Sequence, residues 1–224
     1  MSDRGIYKPH PSGAWYTPPD VIDPARAALG GFDLDPCTHP SNPTAARLHY
    51  SIRDSAWKHD WSAELVELAR ATEAASVRVW MNPPFGRGIA RWLDALHQTI
   101  GEVQRLHGLP VHALVLVPAR TETAWYRDAA WAHAQGVCEL AGRLRFARRK
   151  AGRFVPGQTA RWGCALLYYG PEYARVRRAL DGLGHWIRST SYAGPRPAAA
   201  TDPRQVVLVF PHGRNDARRR RSRR

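Results

Sequence analysis

The stretch Val77–Ala119, VRVWMNPPFGRGIARWLDALHQTIGEVQRLHGLPVHALVLVPA, decides the fold. VRVWM reads as a strand that runs straight into NPPFG. Two successive prolines have fixed φ and no amide hydrogen, so a sheet ladder cannot continue through Pro83 and Pro84. From Ile89 to about His107 the apolar residues Ile89, Trp92, Leu93, Leu96, Ile100, Val103 and Leu106 fall on one face of a helix. HALVLVPA then forms a continuous apolar run, as in a strand buried on both faces of a parallel sheet. Strand, helix and strand in this order form the repeating unit of an α/β fold.

The rest of the chain extends this pattern. In GAWYTPPDVIDPARAALG, Thr17 is expected to cap a helix from about Pro18 to Leu29, with Pro18 near its first position and Asp20 in its first turn. Pro24 lies inside that helix and would cost about 3 kcal/mol unless the helix restarts there. GFDLDP is a short strand that leaves Asp35 at its C-terminal end, the edge where ligands bind in open α/β sheets. A helix is expected over 62–74 with Ser62 as its cap, and another over 123–134. Strands GVCEL and RWGCALLYYG, a helix over 172–182 and a final strand QVVLVF at 205–210 complete the reading. The fold class is α/β with a mostly parallel central sheet. One domain is expected over 15–193, between a flexible stretch at 1–14 and a Pro/Ala-rich linker with the final strand at 194–210. A disordered polybasic tail would occupy 211–224.

Charge narrows the partners. The 224 residues carry 33 Lys plus Arg against 19 Asp plus Glu, a net +14. Seven arginines against the single acid Asp216 lie between Arg214 and Arg224. A second concentration, Arg143, Arg145, Arg148, Arg149, Lys150, Arg153 and Arg161, contains no acid and reads as a loop at about 143–161 that could grip a phosphate backbone. A hairpin with a basic solvent face would have the same composition. No apolar run reaches the roughly 18–20 residues that cross a bilayer, and the N-terminus lacks a signal-peptide core, so a cytoplasmic protein is expected. Cys37, Cys138 and Cys164 are widely spaced with no C-x-x-C, so they read as buried thiols, without a disulfide framework or metal site.

Asn82-Pro83-Pro84-Phe85 carries the chemistry. An amino group on a heteroaromatic ring is a poor nucleophile because its lone pair is delocalised into the ring. The Asn82 side-chain carbonyl and the Pro83 backbone carbonyl could accept its two hydrogens, favouring a pyramidal nitrogen with a lone pair available for attack. Phe85 could stack on the base, which must leave its duplex to be reached. A strand-to-helix turn with Asn82 as a cap and Phe85 in the core is the alternative for these four residues alone.

Five motifs in order are more specific: Trp15-Tyr16-Thr17-Pro18, Leu34-Asp35-Pro36-Cys37-Thr38, Asn82-Pro83-Pro84-Phe85, Val117-Pro118-Ala119-Arg120-Thr121 and Gly142-Arg143-Leu144-Arg145-Phe146. Over about 15–170 the chain resembles the phage-type DNA N-6-adenine methyltransferase family. The resemblance implies a Rossmann-like methyltransferase fold and a site-specific, adenine-specific enzyme of phage or restriction–modification type. It implies methyl transfer from S-adenosylmethionine to the 6-amino group of an adenine flipped out of double-stranded DNA; the sequence does not set the oligomeric state, for which a monomer is the favoured expectation. Trp15, Thr17, Pro18, Asp35 and Pro36 would then contact the cofactor, Thr17 and Pro18 at its methionine end. Asp54 would meet the cofactor adenine, with Asp60 as the competing choice. Arg120, Arg143, Arg145, Arg148, Arg149 and Lys150 would bind DNA, although Arg120 could instead pair with Glu122. Two departures stand out: Phe85 replaces the commoner Tyr, and the turn DPCTHPSNP has no glycine. They leave open a non-catalytic DNA-binding relative, and the same pocket chemistry would serve cytosine, RNA adenine or protein glutamine. Removing the residues after Phe210 should lower the salt dependence of DNA binding, by about 0.9 in log–log slope for each phosphate no longer neutralised, while methyl transfer persists. An unchanged slope in a binding titration would exclude that role for the tail.

Overall fold

A computed structural model of the chain describes residues 16–189 except 52, 87, 151 and 152, together with all side chains in that range except those of 149, 150, 153 and 154. Trp15, the expected strand at 205–210, the linker and both termini lie outside the described residues, as do the side chains of Arg149 and Lys150. In chain order the elements are α1 (Pro19–Leu29), β1 (Leu34–Asp35), β2 (Leu48–His49), α2 (Trp61–Ala71), β3 (Val77–Met81), α3 (Ile89–His107) and β4 (Val111–Pro118). They continue with β5 (Gly136–Leu140), β6 (Arg145–Lys150), β7 (Arg153–Thr159), β8 (Cys164–Tyr169), α4 (Tyr173–Ala179) and β9 (Gly184–Arg188).

Among the described residues, seven strands form one sheet in the order β2-β1-β3-β4-β8-β5-β9, and β6 pairs with β7 in a separate hairpin. β3 and β4 are parallel from Val77 opposite Val111 to Met81 opposite Val115, with α3 as the crossover. β1 is parallel to both β2 and β3. β8 lies antiparallel between β4 and β5, and β9 is antiparallel to β5. Most strands therefore point one way, but the sheet is mixed rather than simply parallel. β5 leads through the β6–β7 hairpin directly into its neighbour β8, and such an antiparallel return needs no crossover helix.

Alternation along the central strands sorts the core into two layers. Val77, Val79, Met81, Val111, Ala113, Val115 and Val117 face α2 and α3. Trp80, Leu114, Leu116, Leu166 and Tyr168 face the layer that holds Val21, Ile22 and Ala25 of α1 and Val176 of α4. All eight residues of β4 are buried, as its unbroken apolar run predicted.

Local differences from expectation have local causes. Pro18, not Thr17, occupies the N-cap position of α1, and Pro19 opens the helix. The helix continues through Pro24, with Ala25 fully buried beside it. α2 is capped by Asp60, whose carboxylate accepts the Ala63 amide at 3.0 Å, a charged acceptor better suited to a helix N-terminus than the Ser62 hydroxyl. Ser62 instead donates to Asp60 and to Glu102 of α3. The expected helix over 123–134 is mainly one wide π-helical turn, Tyr126–Trp131, that carries Tyr126 and Ala130 into the core. Leu106, assigned to the apolar face of α3, is 56% exposed. β9 has no counterpart among the expected elements.

His97 of α3 lies against His133 and Tyr169, with ring centroids 4.4 and 5.2 Å away. Burial, then the neighbouring His133, pushes its pKa from 6.5 down to about 3. The unfolded chain therefore binds a proton between about pH 6.5 and 3 that the folded chain refuses, and the stability due to neutral His97 is lost as pH falls through that window. Thermal melting should show a smaller loss of Tm on acidification from about pH 6.5 to about 4.5 for His97→Phe than for the unaltered chain.

Candidate active site

The C-terminal ends of β1, β3 and β4 and the start of β8 open onto a cavity of about 1280 Å³. A pocket for one small molecule holds about 300–1,000 Å³. The space therefore suffices for two ring systems at once.

Asn82, Pro83, Pro84 and Phe85 line this cavity directly after β3. Asn82 Nδ2 donates to the Thr17 hydroxyl at 3.2 Å, which ties the side-chain amide to the segment before α1. Thr17 thus serves this amide rather than capping α1. The N-cap of α3 is Gly88, so Asn82 is not the helix cap that the four residues alone allowed. Phe85 is half-buried, meets the Phe146 ring edge-to-face at 5.6 Å between centroids and packs against both core layers.

Asp35 ends β1 with only 2% of its surface exposed, so it is not a solvated strand-end acid. Its carboxylate accepts the Thr44 hydroxyl at 2.8 Å and the Cys37 amide at 3.2 Å. Burial nevertheless dominates and pushes its pKa from 3.8 up to about 6, against the opposing hydrogen bonds of Thr44, Cys37 and Thr38. The glycine-free turn reaches this geometry with Asn42 and Ala45 at φ 44° and 51°. Asn tolerates the left-handed region, and here its side chain also clamps Ala46, accepting the amide at 3.1 Å and donating to the carbonyl at 2.8 Å. Arg26 of α1 donates to the Thr44 carbonyl at 3.3 Å and holds the turn from the other side. Cys37 is half-buried on the cavity wall, whereas Cys138 and Cys164 are buried. Burial and the Asp35 charge push the Cys37 thiol well above its ordinary value, so it is not a nucleophile.

The segment between β2 and α2 supplies a tryptophan wall. Trp57 and Trp92 line the cavity with ring centroids 4.3 Å apart, and Trp61 of α2 lies 6.1 Å from Trp92 behind them. The Arg91 guanidinium sits 4.0 Å from the Trp57 ring centroid. α2, which had no evident role in the sequence, buttresses this wall through buried Trp61, Leu65 and Val66. Trp92 is therefore both packing and cavity surface, while Trp131 packs at the periphery of the core. Asp54 is exposed and accepts the Ser51 hydroxyl at 2.7 Å. The cavity surface here is formed by Ser51 and Ser55, with neither Asp54 nor Asp60 on it.

The basic segment is the β6–β7 hairpin rather than a loop. Phe146 and Ala147 are buried, whereas Arg145 and Arg148 on either side of them are exposed. A register shift between Arg145 and Ala147 interrupts the regular alternation, so two successive buried side chains lie between two exposed arginines, neither of which lines the cavity. Arg145 donates across the hairpin to the Gly157 carbonyl at 3.3 Å. A Cβ at Gly157 would lie 2.7 Å from the Phe146 carbonyl oxygen, so only glycine permits the two strands to approach this closely. Tyr16 and Ala147 exchange backbone hydrogen bonds of 3.2 and 2.9 Å, which fastens the segment carrying Thr17 to the hairpin.

Of the residues anticipated from the sequence, the cavity gathers Thr17, Asp35, Pro36, Asn82, Pro83, Pro84, Phe85, Arg120 and Arg143. Pro18 is buried at the α1 N-cap and does not line it. Arg120 pairs with Glu122, the alternative given for it, and also lines the cavity. Sequence reasoning missed Thr44, Trp57, Trp125, Arg161 as a cavity residue, and Trp162. Trp162 was read as part of the strand RWGCALLYYG, whereas β8 begins only at Cys164 and leaves Trp162 outside it.

Residues 8–176 match the family described as DNA N-6-adenine-methyltransferase (Dam). The chain belongs to that family. No curated protein matches it. The match spans every motif quoted above and both strands of the hairpin, so the cavity of this Dam-family chain lies wholly within the shared region.

Asp35→Asn removes a carboxylate that burial disfavours. Asp35 is protonated more readily folded than unfolded, so its stabilising contribution is complete below about pH 3.8 and is lost as pH rises through 6. Thermal denaturation at about pH 8 should therefore show the variant more stable by about 1–2 kcal/mol, with the advantage shrinking as pH falls from 6 to 3.8.

Proposed function

We propose that this chain transfers a methyl group from S-adenosylmethionine to the 6-amino group of adenine in DNA, on a Rossmann-like fold, after the base has left its duplex. The observation that carries the reading is the Asn82–Thr17 hydrogen bond at the rim of a cavity that also holds the buried Asp35. With Asn82 Nδ2 committed to Thr17, the amide oxygen is the end oriented to accept a hydrogen from an amino group. The Pro83 carbonyl takes the second, and neither acceptor has to act as a strong base. Phe85 provides a face for the base, and its edge contact with Phe146 fixes the angle of that face. Leaving a duplex costs the base a few kcal/mol of stacking and pairing, which this surface offsets in part.

The residues present fit the cofactor. S-adenosylmethionine supplies an electrophilic methyl on a sulfonium centre. Its positive charges suit the Asp35 carboxylate, which is mostly ionised at neutral pH with a pKa of about 6. Thr17 and Pro36 flank that end, while Trp57 and Trp92 offer the aromatic surface for a purine ring. Asp54 then acts by holding the loop that carries Ser51 and Ser55. Phe85 keeps the stacking surface of the commoner Tyr, and only the hydroxyl is lost.

Incubating the protein with tritium-labelled cofactor and unmethylated duplex DNA, followed by digestion to nucleosides, should place the label on adenine. Asn82→Ala should reduce that transfer by at least about 100-fold with DNA binding retained, as for loss of a group acting only in the transition state. Label on cytosine would reassign the base. Equal labelling by the variant would exclude the mechanism.

A further inference from the structure

Three arginines converge on the mouth of the cavity: Arg120 after β4, Arg143 before β6, and Arg161 in the turn before β8. Two of them meet one indole. The Arg120 guanidinium lies 4.6 Å from the Trp162 ring centroid and that of Arg161 lies 5.0 Å from it. The Ala119 amide donates to the Gly163 carbonyl at 2.8 Å, and Pro118 pairs with Cys164, so the segments that carry the two arginines are locked together. Trp162 is 38% exposed, an unusual position for so large an apolar ring unless its surroundings use it. Among the described residues, no carboxylate lies within ion-pair distance of Arg161 or Arg143, and Arg120 has only Glu122.

We propose that Arg120 and Arg161, held against Trp162, grip one backbone phosphate of the DNA strand that delivers the adenine to the cavity. This rests on the reading of the cavity as the site of methyl transfer to DNA. Guanidinium forks match the oxygens of a phosphodiester, and a guanidinium already stacked on a ring loses less freedom when it binds. The sheet order sets the location. β4 and β8 lie on one side of β3 and Asn82, whereas β1 and Asp35 lie on the other. The arginine pair therefore flanks the nucleotide on the side away from the end assigned to the methionine of the cofactor. The Glu122 carboxylate sits on Arg120 where a phosphate would sit, and as an exposed pair it is readily displaced. Trp162 acts as a positioning residue, since it touches the arginines rather than the phosphate.

Arg161→Ala should lower the log–log salt slope of duplex DNA binding by about 0.9 and raise the KM for DNA several-fold, with kcat and the KM for S-adenosylmethionine little changed. Trp162→Ala should shift the KM for DNA in the same direction, and Trp162→Phe should recover most of that loss by restoring a ring face. Glu122→Gln should tighten DNA binding. A rise in the KM for the cofactor instead of that for DNA would overturn the clamp, since it would assign the arginines to the methionine carboxylate. An unaltered chain that methylates DNA alongside an Arg161→Ala variant of identical slope and KM would also overturn it. An unaltered chain that neither binds nor methylates DNA would instead remove the functional reading beneath it.

Discussion

Pro83 and Pro84 cannot donate to a sheet, and that single covalent fact fixes where the central strand must stop. β3 ends at Met81, one residue before Asn82, at the same edge where β1 ends in Asp35 and β4 in Pro118. The functional groups of the cavity are thus the first residues that the ladder releases. They are positioned by neighbouring strands rather than by long loops. Thr17 contributes to orienting the amide at this place.

The cavity carries a cost in stability that is visible in its acid. Asp35 accepts two good hydrogen bonds, yet desolvation outweighs them and raises its pKa. A carboxylate retained under that penalty, in a wall shared with Asn82 and Thr17, fits a group kept for binding rather than for folding. The turn that delivers Thr44 to it also accepts strain, with Ala45 in the left-handed region where glycine would be easier. Stability is recovered in the two apolar layers on either side of β4, whose eight residues are all buried.

Legibility in the sequence followed the range of the interactions involved. The strand–helix–strand unit from Val77 was readable because periodicity and prolines are local signals, and Asn82–Phe85 lies within it. The helix caps were misplaced because Thr17 against Pro18, and Ser62 against Asp60, depend on which side chain a distant partner claims. The antiparallel insertion of β8 was invisible, since strand direction is decided by pairing and not by pattern. The tryptophan wall was likewise hidden: Trp57 and Trp92 are 35 positions apart, and nothing in either segment announces the other. The exposure of Arg145 and Arg148 beside buried Phe146 and Ala147 was hidden too, because it depends on a register shift in the hairpin between Arg145 and Ala147.

That division of the hairpin also separates what the chain can change from what it must keep. The cavity surface takes Arg143, Phe146 and Gln158 to Arg161 from this region, and none of 148–157 among the described residues. The base of the hairpin is held by Tyr16 and by the Ala160 amide on the Leu144 carbonyl at 2.7 Å. Substitutions beyond Ala147 on one strand and before Gln158 on the other leave those anchors in place, apart from the close approach at Gly157. The outer hairpin is thus a region whose surface can change without disturbing the anchors that hold Thr17 beside Asn82.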